Sequence, residues 1–327
     1  IFFVEGKPYP GGVFYAKDAF EGLEILNILN NEQKAPSFYE KIRTEAEQEL
    51  LAKPATDKPK EIVTTRSSVQ PREKIPTPPF LGIRVLENID LREVFPLMDF
   101  KSLFRLSWGI QTRDKTEFDK LLREKFNPLL DELEKEVLRE KWFEPKVLYG
   151  FYPAQSEGNS IHIFDPVDKK TRLTSFTFPR QSDKKNLCLA DYLQPIDSGK
   201  MDVLAFHVVT LGEKISQVCE ALQAKSDYSR GYYLHGLSVE TTEGLATWIH
   251  QKIRQGWGLK EDEGKRYSFG YPACPEMEDQ GKLFSILKPE EKIGVVLTEA
   301  FQMVPEQSTS ALIFHHPEAT YFGVKNR

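Results

Sequence analysis

The densest group of chemically capable side chains in this sequence is the stretch RYSFGYPACPE, Arg266 to Glu276. It sets one guanidinium beside three aromatics, a glycine, two prolines and a cysteine, with no periodic pattern. Pro272 and Pro275 each lack a backbone donor, which predicts a loop of enforced shape rather than a core strand or a helix. A planar cation beside aromatic faces suits a ligand that is anionic at one end and flat at the other.

Other candidates are single residues or pairs. Glu243 and His250 lie seven apart, two turns along a predicted helix, and so share one face. They are either a polar pair looking into a cleft or a solvated face with a packed histidine. Asp99, in PLMDFKSLF, reads as the N-cap of the helix that follows it. Tyr321-Phe322 reads as a strand pair with one ring buried and one exposed. His315-His316 would point to opposite sides of a strand, which argues against both ligating one metal ion. Cys188, Cys219 and Cys274 are too few and too widely spaced for a disulfide framework or a four-thiolate zinc site, and this usage predicts a cytoplasmic location. There is neither a G-x-G-x-x-G fingerprint after a strand nor a P-loop.

The elements that must position these residues come from a chain of 327 residues, enough for about two domains. The net charge of -5 shows no basic stripe, which argues against a nucleic-acid partner. No apolar run approaches the roughly 20 residues that a bilayer span requires, so no membrane partner is expected. The opening IFFVEGKPYPGG lacks a leader pattern, and its first four residues look like a strand entered midway. We read the chain as a portion of a longer protein.

Residues 1–30 read as strand, turn, short strand (VFYA) and helix, with Asp18 as the cap of AFEGLEILNIL. A second helix covers 36–52, and the Pro-, Lys- and Thr-rich stretch that follows, to about residue 78, reads as a connector. Beyond it come a helix near 100–108 and a long helix over 116–142 in which Pro128 introduces a kink. Strands KVLYGFYP, SIHIFDP and TRLTSFTFPR precede MDVLAFHVVTLG, which is apolar enough to be central in a sheet. Helices over 213–225 and 231–255 and two or three closing strands complete the pattern. Grouped strands and grouped helices predict an α+β fold with a mainly antiparallel or mixed sheet flanked by helices.

Taken in order, several segments resemble the activation domain of cobalamin-dependent methionine synthase. RYSFGYPACPE resembles its Arg-x-x-x-Gly-Tyr-Pro signature; IDLREVFPLMDFKSLF, GFYPAQSEGNSIHIF, CLADYLQP, ETTEGLATWIHQKIR and LTEAFQMVPEQSTSALIFHHPEATYFGV resemble flanking family segments. The likeness covers about 75–327. PGGVFYAKDAFEGLEIL resembles the end of the preceding cobalamin-binding domain, whose Asp-x-His-x-x-Gly motif is absent here, so this chain is not expected to hold cobalamin by itself. The implied domains are 1–35, the tail of an α/β cobalamin domain; 36–78, helix and linker; and 79–327, the activation domain.

The resemblance implies binding of S-adenosylmethionine and donation of its methyl group during reductive methylation of cob(II)alamin. The implied partners are the cobalamin domain and a flavodoxin-type or related reductase, while zinc belongs to N-terminal modules. An alternative role is a docking scaffold that recruits the reductase and controls domain arrangement. By the same resemblance Asp99, Arg266, Gly270, Ala273, Tyr321 and Phe322 hold S-adenosylmethionine, which for Asp99 displaces the plain cap reading. Glu243 and Tyr271 face the cobalamin. Asp262 stands where several relatives carry tyrosine. No residue is assigned as a catalytic acid or base.

Overall fold

In the computed structural model of the chain, the described residues are 3–4, 7–8, 14, 19–31, 33–52, 66–182 and 185–324. They fall into two compact units, Ile1–Ile62 and Val63–Arg327. In the first, β1 (Phe3–Val4) pairs antiparallel with β2 (Lys7–Pro8), and α1 (Ala19–Leu29) contacts α2 (Ala35–Ala52). Phe14 stacks on Phe38, with ring centroids 5.6 Å apart. The expected Asp18 cap, most of the VFYA strand and the connector residues 53–65 lie outside the described residues.

The second unit opens with β3 (Gly82–Leu86), then α3 (Leu91–Val94) and α4 (Phe100–Ser102), which runs into a π-turn over Leu103–Ser107. The long helix expected over 116–142 is two helices, α5 (Lys115–Leu121) and α6 (Asn127–Glu140), joined by a π-turn over Leu122–Phe126. Pro128, in the first turn of α6, supplies no amide to an i→i−4 bond, and the wider turn just before it absorbs the mismatch. Strands β4 (Lys146–Glu157), β5 (Ser160–Phe164), β6 (Arg172–Thr177) and β7 (Asp202–Thr210) follow. Next come α7 (Lys214–Ala224), α8 (Tyr228–Gly256) and β8 (Lys265–Tyr267). The chain then forms α9 (Asp279–Leu287), α10 (Pro289–Ile293), β9 (Val296–Leu297), β10 (Met303–Val304) and β11 (Ser308–Phe314).

One antiparallel sheet carries the unit, in the order β6-β5-β4-β7-β11-β8 with β3 added beside β4. The centrality expected of DVLAFHVVT holds: every residue of β7 is buried. Alternation divides the neighbours between two cores. Val203, Ala205 and Val209 of β7 join Val147, Phe151 and Ile313 under α3–α8. Leu204, Phe206 and Val208 join Leu148, Tyr152, Leu312 and Phe314 under α9 and α10. On α8, Gly236 is required by close approach, because a Cβ there would lie 2.8 Å from Cδ1 of Trp108.

Three further observations differ from the sequence reading. The RYSFGYPACPE stretch is not loop throughout, since Arg266 and Tyr267 end strand β8, paired to Ile313 and Leu312. Its prolines fall beyond the ladder and leave these two amides free to pair. Tyr321-Phe322 lies past the last strand, which stops at Phe314 before the turn closed by Ala319 N–H to the His316 carbonyl at 3.1 Å. Residues 66–78, read as connector, are strapped to the second unit. Arg66 donates to the carbonyls of Asp191 and Leu193, each at 2.8 Å, and Arg72 donates to the His315 carbonyl at 2.7 Å. Trp257 Nε1 donates to the Pro76 carbonyl at 3.1 Å. The signal was hidden because these contacts reach 125 to 243 residues along the chain.

Arg66 shares its anchor with a fully buried ion pair. Arg180 donates to both carboxylate oxygens of Asp191, at 2.5 and 2.9 Å, and its Nε reaches Asn159 Oδ1 at 2.8 Å. Removing one partner strands the other charge in the core. Asp191→Ala is therefore expected to lower unfolding free energy by about 3–5 kcal/mol, read by urea denaturation. A loss under about 1 kcal/mol would show that this network does not brace the domain.

Candidate functional site

The sheet edge at β8 and the loop after it build one wall of a cavity of about 450 Å³. Lys265–Tyr267 fixes Arg266 toward α8 and Tyr267 toward the opposite core, as strand alternation requires. The loop is then closed on itself. Cys274 N–H donates to the Tyr271 carbonyl and Gly270 N–H to the Cys274 carbonyl, both at 2.8 Å. Pro272 occupies the second position of that turn, where its fixed φ is favoured. Gly270 has φ +87° and sits against Met277, whose sulfur would be 3.0 Å from an added Cβ. Ala273 is buried on the cavity wall, while Tyr271 stands at the mouth and is 67% exposed.

The second wall comes from the chain's last described residues. Tyr267 donates its hydroxyl to the Thr320 carbonyl at 2.6 Å, and its ring meets Tyr321 edge-on at 5.5 Å. Burial, then the neighbouring Tyr192, pushes the Tyr267 phenol up, so it stays a donor. Gln181 Nε2 holds the Gly323 carbonyl at 2.8 Å. This pinning delivers Tyr321 and Phe322 to the cavity. The floor was not anticipated from sequence: Gln280 and Ser310 are buried there and joined by a 3.0 Å hydrogen bond, with Met277 and Met303 beside them. The alternation in STSALIF could have flagged Ser310 as inward-facing, but nothing in the sequence linked it to Gln280.

Charge enters from α8. Arg266 Nη2 lies 3.0 Å from Glu243 Oε2, and both residues line the cavity. The structure thus gathers Arg266, Ala273, Tyr321, Phe322, Glu243 and Tyr271 around one space. Gly270 shapes the loop from outside the lining. Asp99 does not line the cavity either. It caps α4, accepting from the Lys101 and Ser102 amides at 3.0 and 3.2 Å and from the Ser102 hydroxyl at 2.8 Å. Those bonds, the Ser102 hydroxyl foremost, hold its carboxyl below the usual range. Its charge is felt at Glu240, one turn before Glu243 on α8. Burial raises the Glu240 carboxyl, with Asp99 and Glu243 adding to the rise, so the three acids form one electrostatic group.

His250 shares the α8 face of Glu243, and its pKa is lowered to about 3 by burial, then by Arg254 and Arg266. His207 in β7 is fully buried and lowered well below the ordinary value, by burial first and then by Arg266 and His250. The adjacent pair His315-His316 is structural: His315 bonds Asp202 Oδ1 at 2.6 Å and His316 bonds the Gln70 carbonyl at 2.9 Å. Among the described residues, no group of three His, Cys, Asp or Glu is placed to hold a metal ion, and no helix is long and apolar enough to cross a membrane.

The unfolded chain binds protons on His207 and His250 below about pH 6.5, whereas the folded His250 resists until about 3. Stability should therefore rise with pH between those limits, by up to about 1.4 kcal/mol per pH unit for each histidine. His250→Gln is expected to flatten that slope in denaturation curves taken from pH 4 to 7; an unchanged slope would refute the assignment. For Gly270→Ala the left-handed backbone predicts a loss of about 1–2 kcal/mol, visible as a lower melting temperature. Unchanged melting would show that the turn relaxes freely.

Known proteins resemble this arrangement in sequence and fold. The family model described as the activation domain of vitamin B12 dependent methionine synthase matches residues 90–326. The methionine synthases of Mycobacterium tuberculosis (strain ATCC 25618 / H37Rv) and Mycobacterium leprae (strain TN) are 33% and 32% identical over 97% of this chain. The chain spans 30% of the length of each of these curated relatives. A crystal structure of the MetH reactivation domain bound to AdoHcy superposes with a TM-score of 0.68 at 25% identity, covering 78% of this chain and 83% of that one.

Proposed function

The chain belongs to the family of vitamin B12 dependent methionine synthase activation domains, and from that premise we propose that the Arg266 cavity binds S-adenosylmethionine. The enzyme it serves would be a methionine synthase, and the binding would supply a methyl group for reductive methylation of its cobalamin. The observation that carries the reading is the Arg266–Glu243 pair on the wall of an aromatic-lined cavity. A guanidinium and a carboxylate side by side match the carboxylate and ammonium of an amino acid, and the rings of Phe269, Tyr321 and Phe322 match a flat base or a sulfonium. The solved relative bound to AdoHcy, which differs from S-adenosylmethionine by the methyl group, supports the same ligand class.

Each residue then has a task. Arg266 holds the ligand carboxylate, and its fork suits two oxygens better than an ammonium would. Glu243, with Asp99 and Glu240 behind it, supplies negative potential for the ligand's ammonium and sulfonium. Tyr321 and Phe322 cover the nucleoside end, with a cation–π contribution of about 0.5–2 kcal/mol if the sulfonium lies over a ring. Gly270 and Pro272 keep the loop shaped, which lowers the ordering entropy on binding. When bound, S-adenosylmethionine supplies an electrophilic methyl group. No side chain needs to move a proton, and the domain contributes proximity and orientation. The exposed Tyr271 and half-exposed Glu243 suit a surface that closes over cobalamin carried by the preceding domain, with a flavodoxin-type or related reductase as electron donor. Three buried free cysteines agree with work in the cytoplasm.

Titration calorimetry of the 327-residue chain with S-adenosylmethionine is expected to show one site. Arg266→Ala should weaken it about 10- to 100-fold, as loss of a charged hydrogen-bond donor predicts. Absence of heat and of any thermal shift at millimolar ligand would overturn the proposal.

A further inference from the structure

Arg266 has a second side that the ligand reading does not use. In the β ladder Arg266 pairs with Ile313, which pairs with Ala205, so all three share the α8 face of the sheet. His207, two residues beyond Ala205, lies on that face too and is fully buried. His250 reaches the same region from α8, and Arg266 shifts the titration of both imidazoles. Among the described residues, Arg266 Nη1, both ring nitrogens of His207 and Nε2 of His250 are closed off from solvent and have no hydrogen-bond partner. Arg266 is thereby divided: Nη2 meets Glu243 at the cavity, and Nη1 faces inward.

Four unpaired polar atoms, one on Arg266 and three on the two imidazoles it influences, call for partners, since buried donors and acceptors are almost always satisfied. Ordered water is the ligand whose size and chemistry fit. It can accept from the guanidinium and either donate to or accept from an imidazole, and buried polar groups without a protein partner are commonly satisfied by it. Both imidazoles are neutral, so they complete such a network without repelling Arg266.

We propose that Arg266 Nη1, His207 and His250 enclose a site for ordered water that fixes the guanidinium in the orientation used at the cavity. This rests on the reading of Arg266 as the carboxylate anchor. His207 and His250 are then positioning residues, acting on the ligand only through Arg266.

A crystal structure of the ligand-free chain should show water within hydrogen-bond distance of Arg266 Nη1 and of a His207 or His250 nitrogen. In parallel, His250→Leu should weaken S-adenosylmethionine at least about tenfold, while His250→Gln, which keeps a polar partner, should stay within about threefold. If His250→Leu does not fold, His207→Leu against His207→Gln gives the same contrast. A chamber without water, or a leucine variant that binds like the parent, would overturn the proposal. Failure of the parent chain to bind S-adenosylmethionine counts against the proposed function instead, because the water is read without ligand.

Discussion

The ion pair between Arg266 and Glu243 is the constraint around which the rest of the domain is organised. A guanidinium with only a fifth of its side chain exposed must be neutralised, and an edge strand must hold it where a helix can do so. β8 consists of three residues, yet its pairing to β11 is enough to send Arg266 toward α8 and Tyr267 toward the other core. Each then recruits a different wall: Arg266 meets the acidic face of α8, and Tyr267 captures the chain's C-terminal residues through the Thr320 carbonyl. One short strand thus brings the charged and the aromatic halves of the cavity together.

Rigidity behind the cavity comes from how thoroughly the sheet is covered. With β7 buried on both faces, neither α8 nor the α9 side can shift without disturbing a packed core. Residues 66–78 add a belt across the second unit. It ties Arg66 to the Asp191–Arg180 pair and Arg72 to the segment after β11, close in sequence to the aromatic residues of the site. Interactions outside the cavity therefore hold the segment that leads from β11 to its aromatic wall.

The balance of charge also separates affinity from chemistry. Of the acids at 99, 240 and 243, only Glu243 pairs with the cavity's arginine, while Asp99 and Glu243 both act on the Glu240 carboxyl. Tyr267, held protonated, and the neutral buried histidines provide no base near the cavity poised for proton transfer.

How much of this the sequence carried depends on the distance over which each feature is encoded. Local features were legible. The α+β class and the buried β7 followed from periodicity and the turn after Gly270 from its prolines and glycine; the cap at Asp99 was legible from one residue and its helix, but the family likeness had displaced that reading with ligand binding. The shared α8 face of Glu243 and His250 needed only helical spacing. The likeness of several short motifs to one family supplied a ligand class that periodicity could not. Undetermined by sequence were the pairing of Arg266 with Glu243, the Gln280–Ser310 floor, the belt at 66–78 and the burial of Arg266 Nη1. Each depends on strands or helices that meet only after the chain has folded. Strand register decides which face a side chain takes, and a shift of one residue reverses it. The sequence by itself determined which groups were available; the tertiary structure decided which of them share a cavity, because only packing sets the distances over which charges and hydrogen bonds act.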